Sequence, residues 1–379
     1  MSEWKEYKLG DAVKFGNGKV RPNSLGEIPV YGGNGILDFC NEFNYEDETI
    51  IIGRVGAYCG AIFYETRPIW VSDNALAAKP KENFNAKFLY YFLKNLELNQ
   101  FAEGSSHPLV TQSLLNSIDI VITDNEYEQS AIASILSSLD DKIDLLHHQN
   151  KTLEALAETL FRQWFVDKKT SLGKLGSLVS ATLGGEWGKE NLGGDYILPV
   201  YCIRGTDIAD LQSGLATKIP LRFVKEKKYK NIELQNGDLI MEISGGSDGQ
   251  ATGRTIYINE KVKNLFNYPL VFSNFCRLIR PKKMEYSFYL FSYIRMLYSR
   301  GDFFNLEKGS SGIRNFDYKA FLNEIEYEIH DENSIKEFSS KVFEYFQKIN
   351  KNKYQIRTLT QLRNTLLPKL MSGEVRVRH

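Results

Sequence analysis

Two long stretches of the chain place an apolar residue at every seventh position. The first covers residues 126–165 and contains neither Gly nor Pro. Its seven-residue series is Ile132, Leu139, Leu146, Leu153 and Leu160, and the stripe is widened by Ile135, Leu136, Ile143, Leu156 and Trp164. Such a repeat is typical of helices that pair in a coiled coil. The pattern predicts a helix of about 40 residues, roughly 60 Å long, that acts as a spacer rather than as a core helix.

The second stretch, residues 334–367, also lacks Gly and Pro and repeats the pattern. Its series is Phe338, Tyr345, Leu359 and Leu366, with the neighbouring stripe Ile335, Val342, Ile349 and Ile356. Polar residues interrupt both series, namely Lys142, Gln149 and Asn150 in the first and Asn352 in the second. A polar residue in an apolar seam fixes the register and the partner of a coiled coil. We therefore expect the two helices to pair with each other.

Short motifs recur in the two halves of the chain. The matched pairs are Lys8-Leu9-Gly10 with Lys174-Leu175-Gly176, Gly104-Ser105-Ser106 with Gly309-Ser310-Ser311, and Lys151-Thr152-Leu153 with Arg357-Thr358-Leu359. Two predicted strands also recur, at residues 47–52 and 61–64 and again at 237–241 and 255–258, and each pair precedes an aromatic-rich predicted helix, at residues 86–92 and 286–291. The chain is thus predicted to contain an internal repeat.

These patterns predict a mixed α/β fold with two similar globular domains, separated by two long antiparallel coiled-coil helices and related by a pseudo-two-fold repeat. We place the first globular domain at residues 1–125 and the central spacer helix at 126–170. The second globular domain covers residues 171–332, and the distal helix with the C-terminal tail covers 333–379.

Composition and charge narrow the class of protein. The chain has 379 residues, 42% hydrophobic and 25% charged, which is an ordinary globular mixture. Its formal net charge is zero, so any binding to DNA must rest on local charge or be shared with a partner. The four cysteines form no CxxC motif, and no apolar run reaches the ~18 residues that a membrane span requires. We expect a cytoplasmic protein with free thiols.

Sequence motifs for catalysis are missing. The chain has no GxxxxGK[ST] phosphate loop, no GxGxxG after a strand and no HExxH. His147 and His148 fall on the central helix, where a solvated face is the simpler interpretation. Carboxylate-x-Lys patterns such as Asp140-Asp141-Lys142 are frequent by chance in a chain this rich in charge. We therefore predict no catalytic residue, no metal site and no cofactor.

Glycine-rich loops that carry polar and basic side chains recur in both halves. Glycine lets the backbone approach a ligand closely, while Arg, Lys, Asn and Ser read base edges and the sugar-phosphate backbone. Each loop taken alone could be an ordinary hairpin turn, but the matched Gly-Ser-Ser pair favours two domains that do one job twice. The predicted DNA-binding residues are Lys19, Arg21, Asn34, Arg54, Ser105, Ser106, His107, Arg204, Ser244, Ser247, Arg254, Lys308, Ser310, Ser311 and Arg314.

Three segments stand out together: the opening Trp4-Lys5-Glu6-Tyr7-Lys8-Leu9-Gly10-Asp11, a central run over residues 153–166 and a closing run over residues 362–375. These segments resemble the specificity (S) subunits of Type I restriction-modification systems. The resemblance implies two target recognition domains, each of which reads one half of a bipartite target in double-stranded DNA. It also implies that the helices dock methyltransferase subunits, two per chain, and reach the restriction (motor and nuclease) subunits through the complex. The candidate docking residues are the heptad positions of both helices together with Trp164.

Two other function classes stay open at this point. A coiled-coil scaffold without a nucleic-acid role would account for the helices but not for the glycine-rich polar loops. A nuclease with an unrecognised site, or a fused methyltransferase, would need a catalytic domain, and the Asn/Asp-Pro-Pro-aromatic loop of an amino-methyltransferase is not found. Two half-sites on a rigid spacer also supply the specificity that a single site of three or four base pairs lacks, at ~1 to 3 kcal/mol per pair.

Overall fold

A computed structural model describes residues 4–104, 108–166, 171–213, 218–245, 249–309 and 314–377. The chain divides into two compact units. Unit 1 comprises Met1–Ile143 and Leu359–His379, and unit 2 comprises Asp144–Thr358. Each of the two long helices therefore contributes residues to both units. The four predicted domain boundaries do not coincide with this division and stay a prediction.

Unit 1 contains the first nine strands and helices α1 to α3. The strands are β1 (Trp4–Lys8), β2 (Val13–Asn17), β3 (Ile28–Gly32), β4 (Gly35–Cys40), β5 (Thr49–Gly53), β6 (Ile62–Glu65), β7 (Trp70–Val71), β8 (Ala75–Pro80) and β9 (Asp119–Thr123). The helices are α1 (Leu9–Ala12), α2 (Ala86–Asn95), α3 (Gln112–Ser117) and the long α4 (Glu126–Phe165), which continues into unit 2.

The core of unit 1 lies on both faces of one sheet. Four strands follow the order β2-β8-β5-β6, three follow the order β4-β3-β7, and β1 pairs with β9. Successive side chains of a strand point to opposite faces. Ile50 and Ile52 of β5 accordingly pack with the aromatic face of α2, while Ile51 joins Val71 in a second cluster on the other side. This double burial explains why β5 is an uninterrupted apolar run.

Unit 2 repeats this plan. Its strands are β10 (Ser171–Gly173), β11 (Val179–Gly184), β12 (Leu198–Ile203), β13 (Leu221–Val224), β14 (Leu239–Glu242), β15 (Ser244–Gly245), β16 (Thr255–Tyr257), β17 (Leu270–Phe272), β18 (Cys276–Pro281), β19 (Glu307–Lys308), β20 (Arg314–Phe316) and β21 (Tyr327–Ile329). Its helices are α5 (Ile208–Gln212), α6 (Glu226–Ile232), α7 (Glu260–Lys263), α8 (Met284–Ser299), α9 (Tyr318–Asn323) and the long α10 (Glu332–Met371), which continues into unit 1.

The sheets of unit 2 match those of unit 1 strand by strand. The order β11-β18-β14-β16 corresponds to β2-β8-β5-β6, and β13-β12-β17 corresponds to β4-β3-β7. In both three-stranded sheets the central strand pairs in parallel with a later strand, β3 with β7 and β12 with β17. Unit 2 adds a small sheet of order β15-β20-β19. The predicted mixed α/β fold and internal repeat are confirmed.

The first long helix, α4, spans the stretch 126–165 that the apolar pattern predicted, whereas the second is longer than its predicted stretch 334–367. Helix α10 runs from Glu332 to Met371 and passes through Pro368. A proline breaks the interior of a helix because it lacks an N–H and its ring meets the preceding turn. Pro368 lies in the last turn, where few bonds remain to be lost, and its own carbonyl still accepts from the Ser372 N–H at 3.0 Å. The chain then turns at Gly373, whose φ of +72° favours glycine.

Both units pair the long helices in antiparallel fashion. In unit 2 the ring of Phe161 lies 5.6 Å from that of Phe338, and Asn150 contacts Asn352. In unit 1 the Arg363 guanidinium lies 2.7 Å from the Asp140 carboxylate. Higher-numbered residues of α4 contact lower-numbered residues of α10, as in an antiparallel pair. The predicted pairing is therefore confirmed.

The buried stripe is broader than the heptad series alone. Ile132, Leu146 and Phe338 are buried, while the other predicted seam residues are half-buried: Leu139, Leu153, Leu160, Trp164, Tyr345, Leu359 and Leu366. The neighbouring stripe of α10 is the more deeply buried one, at Ile335, Val342, Ile349 and Ile356. Two predictions are wrong. Lys142 and Leu156 lie on the exposed side of α4, because a helix with 3.6 residues per turn drifts away from a strict seven-residue repeat.

Candidate nucleic-acid interface

Three of the predicted loops of unit 1 meet around a turn that joins β7 to β8. The Lys19 N–H donates to the Val71 carbonyl at 3.0 Å, and the Ser72 N–H donates to the Tyr31 carbonyl at 2.8 Å. The Arg54 N–H donates to the Asn74 carbonyl at 3.0 Å. Backbone bonds thus hold the loops after β2, β3 and β5 at one end of the sheets.

The predicted side chains of unit 1 present donors and positive charge at this end. Lys19 is exposed, and Asn34 is exposed at the tip of the two-residue turn between β3 and β4. Arg21 is exposed and its guanidinium lies 3.0 Å from the Asp38 carboxylate. Arg54 is half-buried, and its Nε has no hydrogen-bond partner among the described residues. The loops therefore offer both a neutral amide and cations to a ligand.

Unit 2 builds the same backbone scheme from different residues. The Ser273 N–H donates to the Ile203 carbonyl at 2.8 Å, as Ser72 does to Tyr31 in unit 1. The Ile243 N–H donates to the Phe275 carbonyl at 2.8 Å, where unit 1 has the bond from Arg54 to Asn74. The turn between β17 and β18 in unit 2 therefore corresponds to the turn between β7 and β8 in unit 1.

The small sheet β15-β20-β19 brings three predicted residues of unit 2 together. Ser244 pairs with Asn315, Gly245 pairs with Arg314, and Lys308 also pairs with Asn315. The Arg314 guanidinium lies 3.3 Å from the Glu307 carboxylate, and the Lys308 ammonium contacts Asp317. The Ala320 N–H and the Lys308 ammonium lower the pKa of Asp317, so that carboxylate stays ionised and holds Lys308 in place.

Two predicted arginines of unit 2 make close internal ion pairs. Arg204 donates through Nε and Nη2 to Asp207 at 2.9 and 2.7 Å, and through Nη2 to the Lys218 carbonyl at 2.9 Å. Arg254 makes a two-point ion pair with Glu242, whose side chain is only 2% exposed. Each acidic partner is buried, and a buried carboxylate needs a compensating cation. Both guanidinium groups therefore have a structural task, and their contact with DNA stays a prediction.

Six predicted DNA-binding residues lie outside the described residues: Ser105, Ser106, His107, Ser247, Ser310 and Ser311.

Sequence reasoning missed the turn residues on which the loops converge. Asp73 and Asn74 in unit 1 and Asn274 and Phe275 in unit 2 are exposed at this place. Phe275 is 58% exposed, so its ring is available to a ligand. A signal was present, because Val71-Ser72-Asp73-Asn74 and Phe272-Ser273-Asn274 both place Ser and Asn directly after a short apolar run.

A polar layer lies in the helix pair of unit 2. Asn352 is fully buried and Asn150 is 8% exposed. The Asn352 amide donates to the Asn150 side-chain oxygen at 2.9 Å and to the Gln149 oxygen at 3.3 Å. Sliding either helix by one turn would separate these amides and leave them buried without partners. The expectation that Asn150 and Asn352 set the register is therefore supported by their contact.

A second polar tie lies in the helix pair of unit 1. Asp140 accepts from Arg363 Nη1 at 2.7 Å and from the Tyr91 hydroxyl at 2.9 Å. Burial, followed by the bond to Asp140, raises the pKa of Tyr91, so its hydroxyl keeps its proton and remains a donor. This tie joins α4, α10 and α2 of the same unit.

Comparison with known proteins agrees with this architecture. Residues 1–155 match the family described as Type I restriction modification DNA specificity domain. The MjaIX specificity subunit of Methanocaldococcus jannaschii is 24% identical over an aligned length of 351 residues, and the match covers 84% of this chain and 76% of that protein. The HindI specificity subunit of Haemophilus influenzae is 27% identical over an aligned length of 192 residues, and the match covers 44% of this chain and 42% of that protein.

A solved structure shares the fold over almost the whole chain. The S subunit of a Type I restriction-modification system from M. genitalium superposes with a TM-score of 0.65 at 18% identity, covering 97% of this chain and 96% of the other. The chain therefore has the fold of this S subunit. Residues 1–155 therefore match the DNA specificity domain of Type I restriction-modification systems, and over most of its length the chain is similar to their specificity subunits, as its three sequence motifs predicted. Across the described ranges, no helix is both long and apolar enough to cross a membrane.

Proposed function

We propose that this specificity subunit has no catalytic activity of its own and reads a bipartite DNA target, one half-site with each globular domain. The observation that carries the proposal is the repeated loop scaffold. In each unit a Ser N–H donates at 2.8 Å to a carbonyl in the last two residues of the central strand of the three-stranded sheet. The same scaffold holds different side chains in the two units, as two readers of different half-sites require.

In unit 1 the reading surface would consist of Lys19, Arg21, Asn34 and Arg54, together with the turn residues Asp73 and Asn74. Asn and Arg can bond two atoms of a base edge at once, Asn on adenine and Arg on guanine, and each such pair discriminates by ~1 to 3 kcal/mol. Lys19 is a point charge and suits a phosphate.

In unit 2 the reading surface would consist of Ser244, Lys308, Arg314 and Asn315, with Phe275 beside them. An exposed aromatic ring next to polar donors can contact a thymine methyl group. Arg204 and Arg254 would act mainly by holding the loops, because Asp207 and Glu242 already compensate their charges. Neutralisation of the DNA phosphates would come chiefly from partner subunits, since this chain has no net charge.

The long helices would fix the spacing of the two half-sites and dock methyltransferase subunits, two per chain. Restriction subunits would join through that complex. Apolar side chains on the outer faces of the helices support a docking role. In unit 2 they include Leu145, Phe343 and Tyr354, of which Tyr354 is 69% exposed, and in unit 1 they include Tyr127 and Leu362.

The experiment is methylation sequencing of DNA modified by the complex of this chain with its methyltransferase subunit. The proposal predicts one motif of two fixed half-sites around a degenerate spacer. A single continuous motif would contradict it. The purified chain alone, supplied with ATP, Mg²⁺ and S-adenosylmethionine, should neither cleave nor methylate DNA, and turnover without any partner would refute the non-catalytic role.

A further inference from the structure

Unit 2 contains a cavity of about 670 Å³ that none of the reading loops lines. Its walls come from strand β16, from α5, α7, α8 and α10, and from one residue of α4. The apolar wall is a cluster of three aromatic rings, in which Phe346 lies 5.6 Å from Phe291 and 6.3 Å from Tyr257 between ring centroids. The volume lies within the range of small-molecule sites, roughly 300 to 1,000 Å³, and an apolar wall with a few polar groups is their usual construction.

The charged side chains of this cavity are strongly unbalanced. Five cationic residues line it, and a single carboxylate, that of Glu154, accompanies them. That carboxylate already accepts from Arg295 at 3.1 Å. The other cationic residues are Lys261, Lys351, Lys353 and Arg357. None of these four has an ion-pair partner within the described part of the chain. The cavity therefore presents uncompensated positive charge next to an aromatic wall.

Lys353 is the cation most in need of a partner. It is half-buried beside the aromatic wall, and its ammonium has no hydrogen-bond partner among the described residues. Burial lowers the pKa of Lys353 to about 8, while Glu154 opposes and Arg295 adds to that effect. A poorly solvated and unpaired ammonium destabilises the folded protein. An anion that entered the cavity would relieve this cost, and the exposed Lys351 and Arg357 could bind its remaining charge.

We propose that this cavity binds a small anion with a flat ring, of the nucleoside phosphate class, with the phosphate at Lys353 and the ring against Phe291, Phe346 and Tyr257. The side-chain amides of Asn259, Asn264 and Asn350 line the same space and can bond the edge of a base. The site lies apart from the DNA-reading loops, so it would make the state of unit 2 dependent on a soluble nucleotide. A partner's acidic peptide is the competing occupant and is an outcome of the test.

The test is isothermal titration calorimetry of the full-length chain with AMP, GMP, CMP and UMP, beside inorganic phosphate, the matching nucleosides and a tri-glutamate peptide. The proposal predicts that at least one nucleotide binds one to one with a dissociation constant in the micromolar range. Its nucleoside and inorganic phosphate should each bind at least about tenfold more weakly. No binding by any of the four nucleotides at about 5 mM, or tighter binding of the peptide than of every nucleotide, would overturn the proposal.

Two variants locate the binding. Lys353→Met should weaken binding of the nucleotide at least about tenfold and yet unfold at the same or a higher temperature, because it removes a poorly solvated and unpaired charge. Lys348→Met removes an exposed charge from the same helix outside the cavity and should leave the affinity unchanged. Equal affinity of the wild type and the Lys353 variant would overturn the proposal. Neither variant touches a reading loop, so failure here leaves the DNA-reading proposal unaffected.

Discussion

Units 1 and 2 share one backbone plan but stabilise it with different chemistry. In unit 2, Asp238 is 1% exposed and makes a two-point ion pair with Arg280 at 2.8 Å. Arg280 lies on β18, and the corresponding strand of unit 1, β8, has Lys79 instead. The Lys79 ammonium donates to the Glu48 carbonyl at 3.0 Å. Unit 2 also packs more aromatic rings in its core, around Phe161, Tyr289 and Phe338. The comparison teaches that the strand order and the loop bonds are the common framework, whereas charges and side chains are specific to each unit.

The largest expected effect on modification comes from changing the long helices while both DNA-reading domains stay unchanged. A two-residue insertion in α4 between Leu146 and Leu153 turns the helix by about 200°, which breaks the seam and should abolish modification. A four-residue insertion adds about 6 Å with only about 40° of net rotation. It should keep both half-sites and lengthen the spacer by one or two base pairs. Methylation sequencing checks both variants, and an unchanged spacer in the longer one would show that the helices do not set the distance.

The ion pair of unit 2 gives the next effect. Arg280→Ala leaves the Asp238 carboxylate buried and unpaired, so the free energy of unfolding should fall by roughly 3 to 5 kcal/mol. Lys79→Ala is the matched variant in unit 1 and should cost about 1 kcal/mol, because its partners are backbone carbonyls. Urea denaturation followed by tryptophan fluorescence measures both. Equal losses would mean that the two units are stabilised alike.

The lowered pKa of Lys353 predicts that the free energy of unfolding depends on pH through a residue of unit 2. Its pKa is about 8 in the folded chain and lies below the ordinary value of 10.5, so between these values the unfolded chain binds more protons. The free energy of unfolding should therefore rise from pH 8 to pH 10.5, by up to about 3 kcal/mol. The wild type and Lys353→Met share every other titratable group that faces Lys353 in the cavity. These groups are Glu154, Arg295, Lys261, Lys351, Arg357, Tyr257 and Tyr354. Thermal melts of the wild type and of Lys353→Met between pH 8 and pH 10.5 should therefore differ in pH dependence only because of Lys353. Melting temperatures that change in parallel with pH would show that the Lys353 ammonium is not poorly solvated and unpaired.

The helix seam of unit 2 can be tested with two leucines of α4. Leu153 is half-buried and Leu156 is 45% exposed. Leu153→Asp places a charge in the apolar interface and should cost about 2 kcal/mol, whereas Leu156→Asp should change the free energy of unfolding by less than about 0.5 kcal/mol. Chemical denaturation distinguishes these values. A larger loss for Leu156 would place the seam on the other side of the helix.

Much of this architecture could be predicted because it depends on local pattern. The bounds of α4 follow from a stretch without Gly or Pro, and the buried contact of Asn150 with Asn352 follows from breaks in two heptad series. The extension of α10 beyond Pro368 was missed, because a proline is tolerated at a helix end only when the surrounding structure supports the last turn.

The candidate site was harder to predict, because its parts are distant in sequence. Sequence alone suggests that Arg254 contacts DNA, because its ion pair with Glu242 is not visible there. That ion pair forms only where β14 and the loop before β16 meet. The turns at Asn74 and Asn274 follow strands of two or three residues, which are too short for a periodic pattern. The cavity around Lys353 is assembled from five helices and the strand β16, and no single segment of the chain encodes it.

The central claim is that each unit reads its own half-site, and the most direct measurement is methylation sequencing with the matched variants Arg54→Ala and Arg314→Ala. Each should relax one base position by ~1 to 3 kcal/mol, Arg54 in one half-site only and Arg314 in the other half-site only. The spacer and the opposite half-site should be those of the wild type in both cases. Relaxation of both half-sites by either single variant would contradict the account of two independent readers.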